Sequence, residues 1–224
     1  MTLTLVTDCR RACPDARTDR ALVLEVMRWL DDAVAAGIDV IQIREPAASA
    51  RLLRDVTAAV VATTRGTSTR VIVSDRADVA LVAGADGVHL RDDGWPGERV
   101  RALSPSWVIG RSVHAPGPWP GSALVEYVTF GAVFGSADKP PRGVEALRAV
   151  VASCGVPVVA IGGITVENAQ ACVAAGAAGV AAISLFLPPG RAPEALGPRA
   201  AVECLRAADR FSYTVRASEY PTSS

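Results

Sequence analysis

One short pattern occurs three times in the chain, and it constrains the fold more than any other feature. Each copy is an alanine-rich helix end, a glycine and then an apolar strand: AAGIDVIQIR (35–44), AGADGVHL (83–90) and AGAAGVAAIS (175–184). The junction glycines are Gly37, Gly84 and Gly176, and glycine readily takes the left-handed conformation that ends a helix. The repeated pattern therefore predicts helices that alternate with buried, parallel strands.

Apolar segments of strand length recur along the whole chain. We expect eight strands, near residues 3–7, 40–44, 71–74, 87–90, 108–110, 127–130, 158–161 and 179–184. We expect helices near residues 21–36, 49–64, 78–83, 97–103, 144–153, 165–175 and 193–208. This alternation predicts an α/β fold, a single (β/α)8 TIM barrel. The alternative is an open doubly wound sheet, but no G-x-G-x-x-G motif follows the first strand.

Two segments depart from the alternation. Residues 115–123 read APGPWPGSA, and because proline disrupts a helix interior, the helix expected there is lost or reduced to a turn. The chain becomes polar from Asp209 onward. We therefore assign residues 1–208 to the barrel and residues 209–224 to a polar C-terminal tail.

The charge balance excludes one class of partner. The chain has 23 basic and 23 acidic residues, and a net charge of zero argues against a nucleic-acid-binding surface. The N-terminus lacks a secretory pattern, and the apolar run at residues 171–187 is short and interrupted by glycine. Five cysteines at no metal-binding spacing are typical of a reducing compartment. We predict a cytoplasmic protein that binds neither nucleic acid nor membrane, and a homo-oligomer stays open.

Polar side chains stand where the predicted strands end, which is the end of a TIM barrel that carries the chemistry. Gln42 and Arg44 are two residues apart on the second strand, so both face the barrel mouth. Ser74 and Asp75 end the third strand, and Asp93 follows the fourth. Carboxylates that converge from adjacent strands suit Mg²⁺, although a solvated loop is the alternative for Asp93.

Histidines accompany two of the strand ends. Ser112 and His114 end the fifth strand two residues apart, and His89 ends the fourth. A histidine at a barrel mouth can act as a general acid or base, and a structural role is the alternative for each of them.

The remaining strand ends favour a phosphorylated substrate. Lys139 is the sole lysine of the chain and lies in the loop 135–143 after the sixth strand. Lysine is a compact, mobile point charge that can reach a phosphate. The usual phosphate site of this fold lies after the seventh and eighth strands, where this chain has Gly163, Ile183 and Ser184.

Taken in order, these segments resemble the thiamine phosphate synthase/TenI family. The resemblance runs from about Leu3 to Ser184 and is carried by VIQIRE, VSDRADVALVAGADGVHL, IGRSVHA, YVTFGAVFGSADK, VVAIGGIT and GVAAIS. Members of the family are TIM barrels. The synthases join hydroxymethylpyrimidine diphosphate to thiazole phosphate with the help of Mg²⁺ and release diphosphate. The resemblance implies a transferase of thiamine biosynthesis with two small phosphorylated substrates.

The resemblance assigns the diphosphate half of the site to four residues. Gln42 and Arg44 match the pyrimidine and diphosphate region, and Ser112 matches a contact to the pyrimidine or the diphosphate. Lys139 matches the lysine that holds the diphosphate, and we add its loop neighbour Ser136 to the substrate-binding candidates.

The metal and the second substrate fall on other positions. Asp75 matches a Mg²⁺ ligand, and it is preceded by Ser74 where the synthases have asparagine. Gly163, Ile183 and Ser184 match the thiazole-phosphate site, whose backbone N–H groups would cradle the anion.

Several positions depart from the family pattern. Pro46 replaces a lysine of the synthases, and Ala115 replaces the threonine after the strand-five histidine. The second metal aspartate falls on Gly94, with Asp93 one residue away and Asp92 two, and either could replace it. The catalytic histidine of the tautomerases falls on Ala132. Each lost charge-assisted contact costs about tenfold to 150-fold in binding or rate.

The departures leave several functions open. The favoured hypothesis is a thiamine phosphate synthase with a rearranged diphosphate site, in which Lys139, Arg44, Ser112 and His114 are the catalytic candidates. The second is a TenI-like thiazole tautomerase that uses His114 or His89. The third is a non-catalytic regulator that binds thiamine precursors, and another phosphate-binding barrel enzyme is the last.

Overall fold

The structure of the protein, a computed structural model, describes residues 1–117, 124–136 and 139–218, with side chains through residue 209. Eight parallel strands pair in chain order, and the last pairs with the first to close a barrel. They are β1 (Thr2–Val6), β2 (Val40–Ile43), β3 (Arg70–Ser74), β4 (Gly87–Leu90), β5 (Val108–Val113), β6 (Tyr127–Gly131), β7 (Val158–Ile161) and β8 (Gly179–Ala182). The predicted TIM barrel is therefore confirmed.

Helices surround the barrel in the described part of the chain. They are α1 (Cys9–Ala12), α2 (Asp19–Ala35), α3 (Ala50–Thr64), α4 (Ala77–Ala83), α5 (Gly97–Leu103), α6 (Val144–Ser153), α7 (Val166–Ala174) and α8 (Pro198–Ser218). A 3₁₀ turn, Ser184–Phe186, follows β8. The side chains of Thr18, Ser49 and Thr165 accept a backbone N–H at the start of α2, α3 and α7, which satisfies donors that have no partner within the helix.

The three repeated junctions form as their sequence predicts. Gly37, Gly84 and Gly176 have φ angles of +82°, +71° and +96°, the left-handed conformation in which a side chain is strained. Each glycine ends a helix and turns the chain into the next strand.

Alternation along the strands separates the core into two apolar layers. Ile41 and Ile43 of β2 are fully buried against the helices, whereas Gln42 between them faces the barrel interior. A smaller apolar cluster of Val6, Val159 and Ala181 fills the interior. Beyond this cluster, toward the carboxyl ends of the strands, the interior is lined by polar side chains. This polar end is the mouth of the barrel.

The structure differs from the sequence prediction at several boundaries. The last helix begins at Pro198 instead of residue 193, because Leu196 and Gly197 donate their N–H groups to the carbonyls of Leu185 and Leu187. Proline suits the first position of a helix, where no N–H donor is required. The same helix continues to Ser218, ten residues beyond the predicted end, while the division at residues 208 and 209 stays a prediction.

Other expectations concern short segments. The helix α1 was not predicted, and the prediction for residues 115–123 falls mainly on 118–123, outside the described residues. The apolar run at 171–187 divides into the end of α7, a glycine turn and β8, as expected. In the part of the chain that the structure describes, no helix combines the length and apolar character needed to cross a membrane. All five cysteines are free thiols.

Candidate functional site

The end of β2 places one amide inside the mouth and one guanidinium at its rim. Gln42 is buried, and its Nε2 donates to Ser74 Oγ at 2.9 Å. Its Oε1 atom is also buried but has no hydrogen-bond partner among the described residues. Arg44 is exposed, and its backbone N–H donates to Thr7 Oγ1 at 3.0 Å. Gln42 thus offers an uncommitted acceptor to a ligand in the mouth.

Asp75 stands directly after β3 in an unusual backbone conformation. Its φ angle is +57°, and its N–H donates to the carbonyl of His89 at 3.0 Å. Its Oδ1 accepts the backbone N–H of Arg91 at 2.8 Å, and its Oδ2 lies 3.1 Å from Arg91 Nε. The same Nε atom lies 3.6 Å from Asp93 Oδ1. One guanidinium therefore joins the two predicted metal ligands.

The carboxylates of Asp75 and Asp93, here called the acidic corner, suit Mg²⁺ when substrate oxygens supply the remaining ligands. Among the described residues, no group of three or more histidine, cysteine or acidic side chains could hold a metal. Asp75 and Asp93 nevertheless share one cationic partner, so both carboxylates can reach a common cation. Mg²⁺ is usually held by one or two carboxylates, with water and substrate phosphates as the other ligands. An added Cβ at Gly94 would lie 3.5 Å from Asp75 Oδ1, beside the same corner.

A polar network crosses the barrel interior from β4 to β6. His89 Nδ1 lies 3.1 Å from the Tyr127 hydroxyl, and His89 Nε2 lies 3.0 Å from Ser112 Oγ. Thr129 Oγ1 lies 3.3 Å from both His89 Nε2 and Ser112 Oγ. Ser112 is half-buried and lies within β5, which is three residues longer than predicted. Ser112 lies two residues beyond Gly110, the strand partner of His89, toward the carboxyl end of β5.

Electrostatics in the network keep the imidazole neutral. Burial, with the positive charge of Arg111 nearby, lowers the pKa of His89 from 6.5 to about 3. Burial raises the pKa of the Tyr127 hydroxyl above its usual value of 10. Both groups consequently keep their neutral forms across the physiological pH range, and His89 is unsuited to act as a general acid or base.

Arg111 is a buried cation that the sequence analysis did not single out. Its Nη1 donates to the carbonyls of Arg91 and Asp92 at 3.1 Å, and its Nη2 donates to that of Trp95 at 2.5 Å. The guanidinium therefore ties the loop after β4 to β5, and this loop carries the acidic corner. Successive side chains of a strand point to opposite faces, so Arg111 and Ser112 lie on opposite faces of β5. This alternation is the sequence signal that could have identified Arg111.

The loop after β6 presents the sole lysine. Lys139 and Ser136 are both exposed, and they pair through backbone hydrogen bonds of 2.9 and 3.1 Å. His114 is half-buried after β5, and its carbonyl accepts from Arg142 Nη1 at 2.7 Å. Its Nδ1 atom is buried without a partner among the described residues.

The predicted phosphate site lies where β7 and β8 end. Within the described part of the chain, the N–H groups of Gly163, Ile183 and Ser184 donate none of the backbone hydrogen bonds found in turns and loops. Ile183 precedes the 3₁₀ turn that Ser184 begins. N–H groups without a backbone acceptor can cradle an anion, which is the role that the sequence predicts for these three residues.

Packing also requires glycine at position 163. A Cβ there would lie 2.7 Å from the carbonyl oxygen of Gly135, so only glycine allows this approach. The φ angle of Gly163 is +67°. The glycine therefore brings the loop after β6 against the predicted phosphate site.

The closed barrel, with polar side chains gathered at the carboxyl ends of its strands, has the architecture of a TIM barrel and the polar mouth at which this fold carries its active sites. The family model described as "Thiamine monophosphate synthase" matches residues 15–186, which is more than half of the chain. The chain therefore belongs to the thiamine monophosphate synthase family, as its sequence segments indicated.

Individual relatives agree with the family match. The thiamine-phosphate synthase of Anaeromyxobacter dehalogenans is 42% identical over 187 residues, which cover 79% of this chain and 82% of the relative. That of Roseiflexus sp. (strain RS-1) is 38% identical over 201 residues, covering 85% and 82%. Among solved structures, the thiamine phosphate pyrophosphorylase from Pyrococcus furiosus superposes with a TM-score of 0.74 at 29% identity, covering 94% of this chain and 96% of that one.

Proposed function

We propose that the protein is a thiamine phosphate synthase, which condenses hydroxymethylpyrimidine diphosphate with thiazole phosphate and releases diphosphate. Family membership supports this activity. The observation that carries it within the site is Gln42. Its Nε2 is committed to Ser74, which leaves Oε1 as a buried acceptor with no partner among the described residues. The amino group of an aminopyrimidine supplies the missing donor, and a buried acceptor left unpaired is costly.

The reaction requires stabilisation of the departing diphosphate. In the proposed complex Arg44 and Lys139 approach it from the two sides of the mouth, and both side chains are exposed and able to reorient. Ser112 contributes a hydroxyl from β5. The C–O bond to the diphosphate breaks, the pyrimidine methylene becomes a stabilised cation, and the thiazole nitrogen attacks it. The protein neutralises the leaving group and aligns the two partners.

Mg²⁺ belongs to the proposal as the cofactor of the diphosphate. Asp75 and Asp93 would hold it, and the ion would neutralise charge on the diphosphate oxygens as they leave. Gly163, Ile183 and Ser184 would hold the phosphate of the thiazole with their N–H groups. We place the reaction in the cytoplasm, which is consistent with five free thiols.

One observation supports the alternative hypothesis of a thiazole tautomerase. The buried Nδ1 atom of His114 has no partner among the described residues, so this imidazole is the histidine left for acid–base chemistry. His89 does not serve, because both of its nitrogens are engaged and its pKa is lowered to about 3.

The deciding experiment supplies the purified protein with both precursors and Mg²⁺ and measures thiamine phosphate and diphosphate together. Synthase activity yields the two products in equal amounts and requires both substrates. Lys139→Ala should reduce the reaction, and Lys139→Arg should retain more of it. Isomerisation of a thiazole phosphate carboxylate in the absence of Mg²⁺ would support the tautomerase instead, provided that His114→Ala abolishes this activity. Binding without any turnover would support the regulator.

A further inference from the structure

The direction of the hydrogen bonds around His89 follows from the requirement that each buried polar hydrogen has an acceptor. The Tyr127 hydroxyl has one partner among the described residues, His89 Nδ1. If Nδ1 carried the imidazole proton, the hydroxyl hydrogen of Tyr127 would lack an acceptor, which is unfavourable in a buried site. Tyr127 therefore donates to Nδ1, and the single imidazole proton lies on Nε2.

The same count of hydrogen atoms and acceptors gives the hydrogen-bond directions at Ser112, at the other end of the network. With its proton on Nε2, His89 donates to Ser112 Oγ at 3.0 Å. Thr129 is buried, and Ser112 Oγ at 3.3 Å is the acceptor available to its hydroxyl hydrogen among the described residues. Ser112 then accepts two hydrogen bonds, which fills both lone pairs of its oxygen. Its own hydrogen has no acceptor in the network and is left for a ligand.

Gly110 makes the contact between Tyr127 and His89 possible. The three residues lie in one row across β4, β5 and β6, with Gly110 in the middle. A Cβ on Gly110 would lie 2.2 Å from Cζ of Tyr127, so the phenol ring occupies the space that a side chain would fill. The tyrosine can therefore reach across β5 to the imidazole.

We infer that Tyr127 and His89 are positioning residues that fix the Ser112 hydroxyl as a hydrogen-bond donor, and so direct it to an anionic oxygen of the diphosphate. A pyrimidine amino group is itself a donor and could not replace this oxygen, whereas a pyrimidine ring nitrogen is an acceptor; inorganic diphosphate, which has no ring, therefore tests the oxygen alone. The inference rests on the proposed function for the identity of the ligand, whereas the direction of the network does not depend on it.

Nitrogen NMR tests the direction without any substrate. The chain contains two histidines, so ¹⁵N-histidine labelling gives two imidazole systems, and a His114→Gln variant assigns them. We expect His89 to show a protonated Nε2 and an unprotonated Nδ1 at neutral pH. In Tyr127→Phe, which keeps the ring and removes the donor, the second tautomer should appear. The opposite tautomer in the native protein, or a doubly protonated ring, would overturn the inference.

Titration with inorganic diphosphate and Mg²⁺ tests the consequence for binding. Ser112→Ala and His89→Leu should each weaken binding about tenfold, because one hydrogen bond to a charged group is lost or misdirected. His89→Gln keeps an N–H donor and should stay within about threefold of the native protein. In the Ser112→Ala background, His89→Leu should have no further effect. A further tenfold loss there would show that His89 acts independently of Ser112.

The two failures can be told apart. A protein with the expected tautomer and the expected titration that forms no thiamine phosphate contradicts the proposed function alone. A protein that forms thiamine phosphate with the opposite tautomer contradicts this inference alone. Should His89→Leu not fold, the tautomer in the native protein and the His89→Gln titration still decide the matter.

Discussion

The Nε atom of Arg91 lies 3.1 Å from Oδ2 of Asp75, so the residue proposed as a Mg²⁺ ligand already has a cationic partner. The guanidinium is 70% exposed and also faces Asp93. An exposed ion pair contributes about 0.2–1 kcal/mol, which a divalent ion can overcome. Arg91 is therefore a weak competitor of the metal.

Removal of this competitor should strengthen metal binding. We expect Arg91→Gln to lower the dissociation constant for Mg²⁺ by about two- to fivefold, the equivalent of one exposed ion pair. Calorimetry, or electron paramagnetic resonance with Mn²⁺, measures the change without turnover. Arg99→Gln removes the same charge from the exposed side of α5 and is the control. Equal effects of the two substitutions would contradict a specific role of Arg91.

Restoring the family's aspartate should complete the acidic corner. A Cβ at position 94 would lie 3.5 Å from Asp75 Oδ1, an ordinary contact, although it would be tight against the backbone of Arg91 at 3.0 Å. We expect Gly94→Asp to bind Mg²⁺ about tenfold more tightly, because a third carboxylate joins Asp75 and Asp93. Gly94→Asn has the same shape without the charge and should show no gain. A gain in both variants would contradict this explanation.

The sole lysine should act on the diphosphate and on no other part of the substrates. Lys139→Ala should raise the KM for the pyrimidine diphosphate about tenfold to 150-fold, since one charge-assisted contact is lost. The KM for the thiazole phosphate should change little. Steady-state kinetics with each substrate varied in turn separate these values. An equal rise in both would place Lys139 outside the diphosphate site.

Gly110 should be far less tolerant of a methyl group than a glycine in open space. The added Cβ of Gly110→Ala would overlap the ring of Tyr127, and overpacking a core costs about 1–3 kcal/mol of unfolding free energy. Gly155 has no atom within 4 Å of the same construction, so Gly155→Ala is the matched control and should change stability by less than about 0.5 kcal/mol. Urea unfolding of the two variants gives the comparison.

Acid should destabilise the protein through His89. The pKa of this residue is about 3 in the folded state and 6.5 in a model peptide, so between these values the unfolded chain binds the additional proton. Its contribution to stability is complete above pH 6.5 and is lost as the pH falls, with a slope of up to about 1.4 kcal/mol per unit. Unfolding free energies measured from pH 4 to 7 should fall less steeply in His89→Gln. Identical slopes would contradict a buried neutral imidazole.

The sequence predicted the barrel and the strand ends because both depend on local patterns. Alternating apolar residues placed Gln42 inside the mouth, and the glycine junctions placed the strands. The contacts of Arg91 and the reach of Tyr127 over Gly110 depend on the register between strands. Register in a barrel is a property of the closed sheet, so no local pattern reveals these contacts.

The late start of α8 has a similar cause. Residues 193–197 have helical composition, but the backbone of Leu196 and Gly197 pairs with the 3₁₀ turn after β8. Hydrogen bonds between distant segments here override local propensity. The roles proposed for Lys139 and Arg44 are independent of such details, because both side chains are exposed.

The backbone of Gly163 lies close to the carbonyl oxygen of Gly135, with no room for a side chain between them. One residue belongs to the proposed cradle for the thiazole phosphate, and the other begins the turn that carries Lys139. Backbone lies against backbone at this point, with no side chain as a spacer. In the proposed complex the separation of the two anionic groups would thus depend on the main chain, and substitutions in the lysine loop could alter its charge while leaving that separation unchanged.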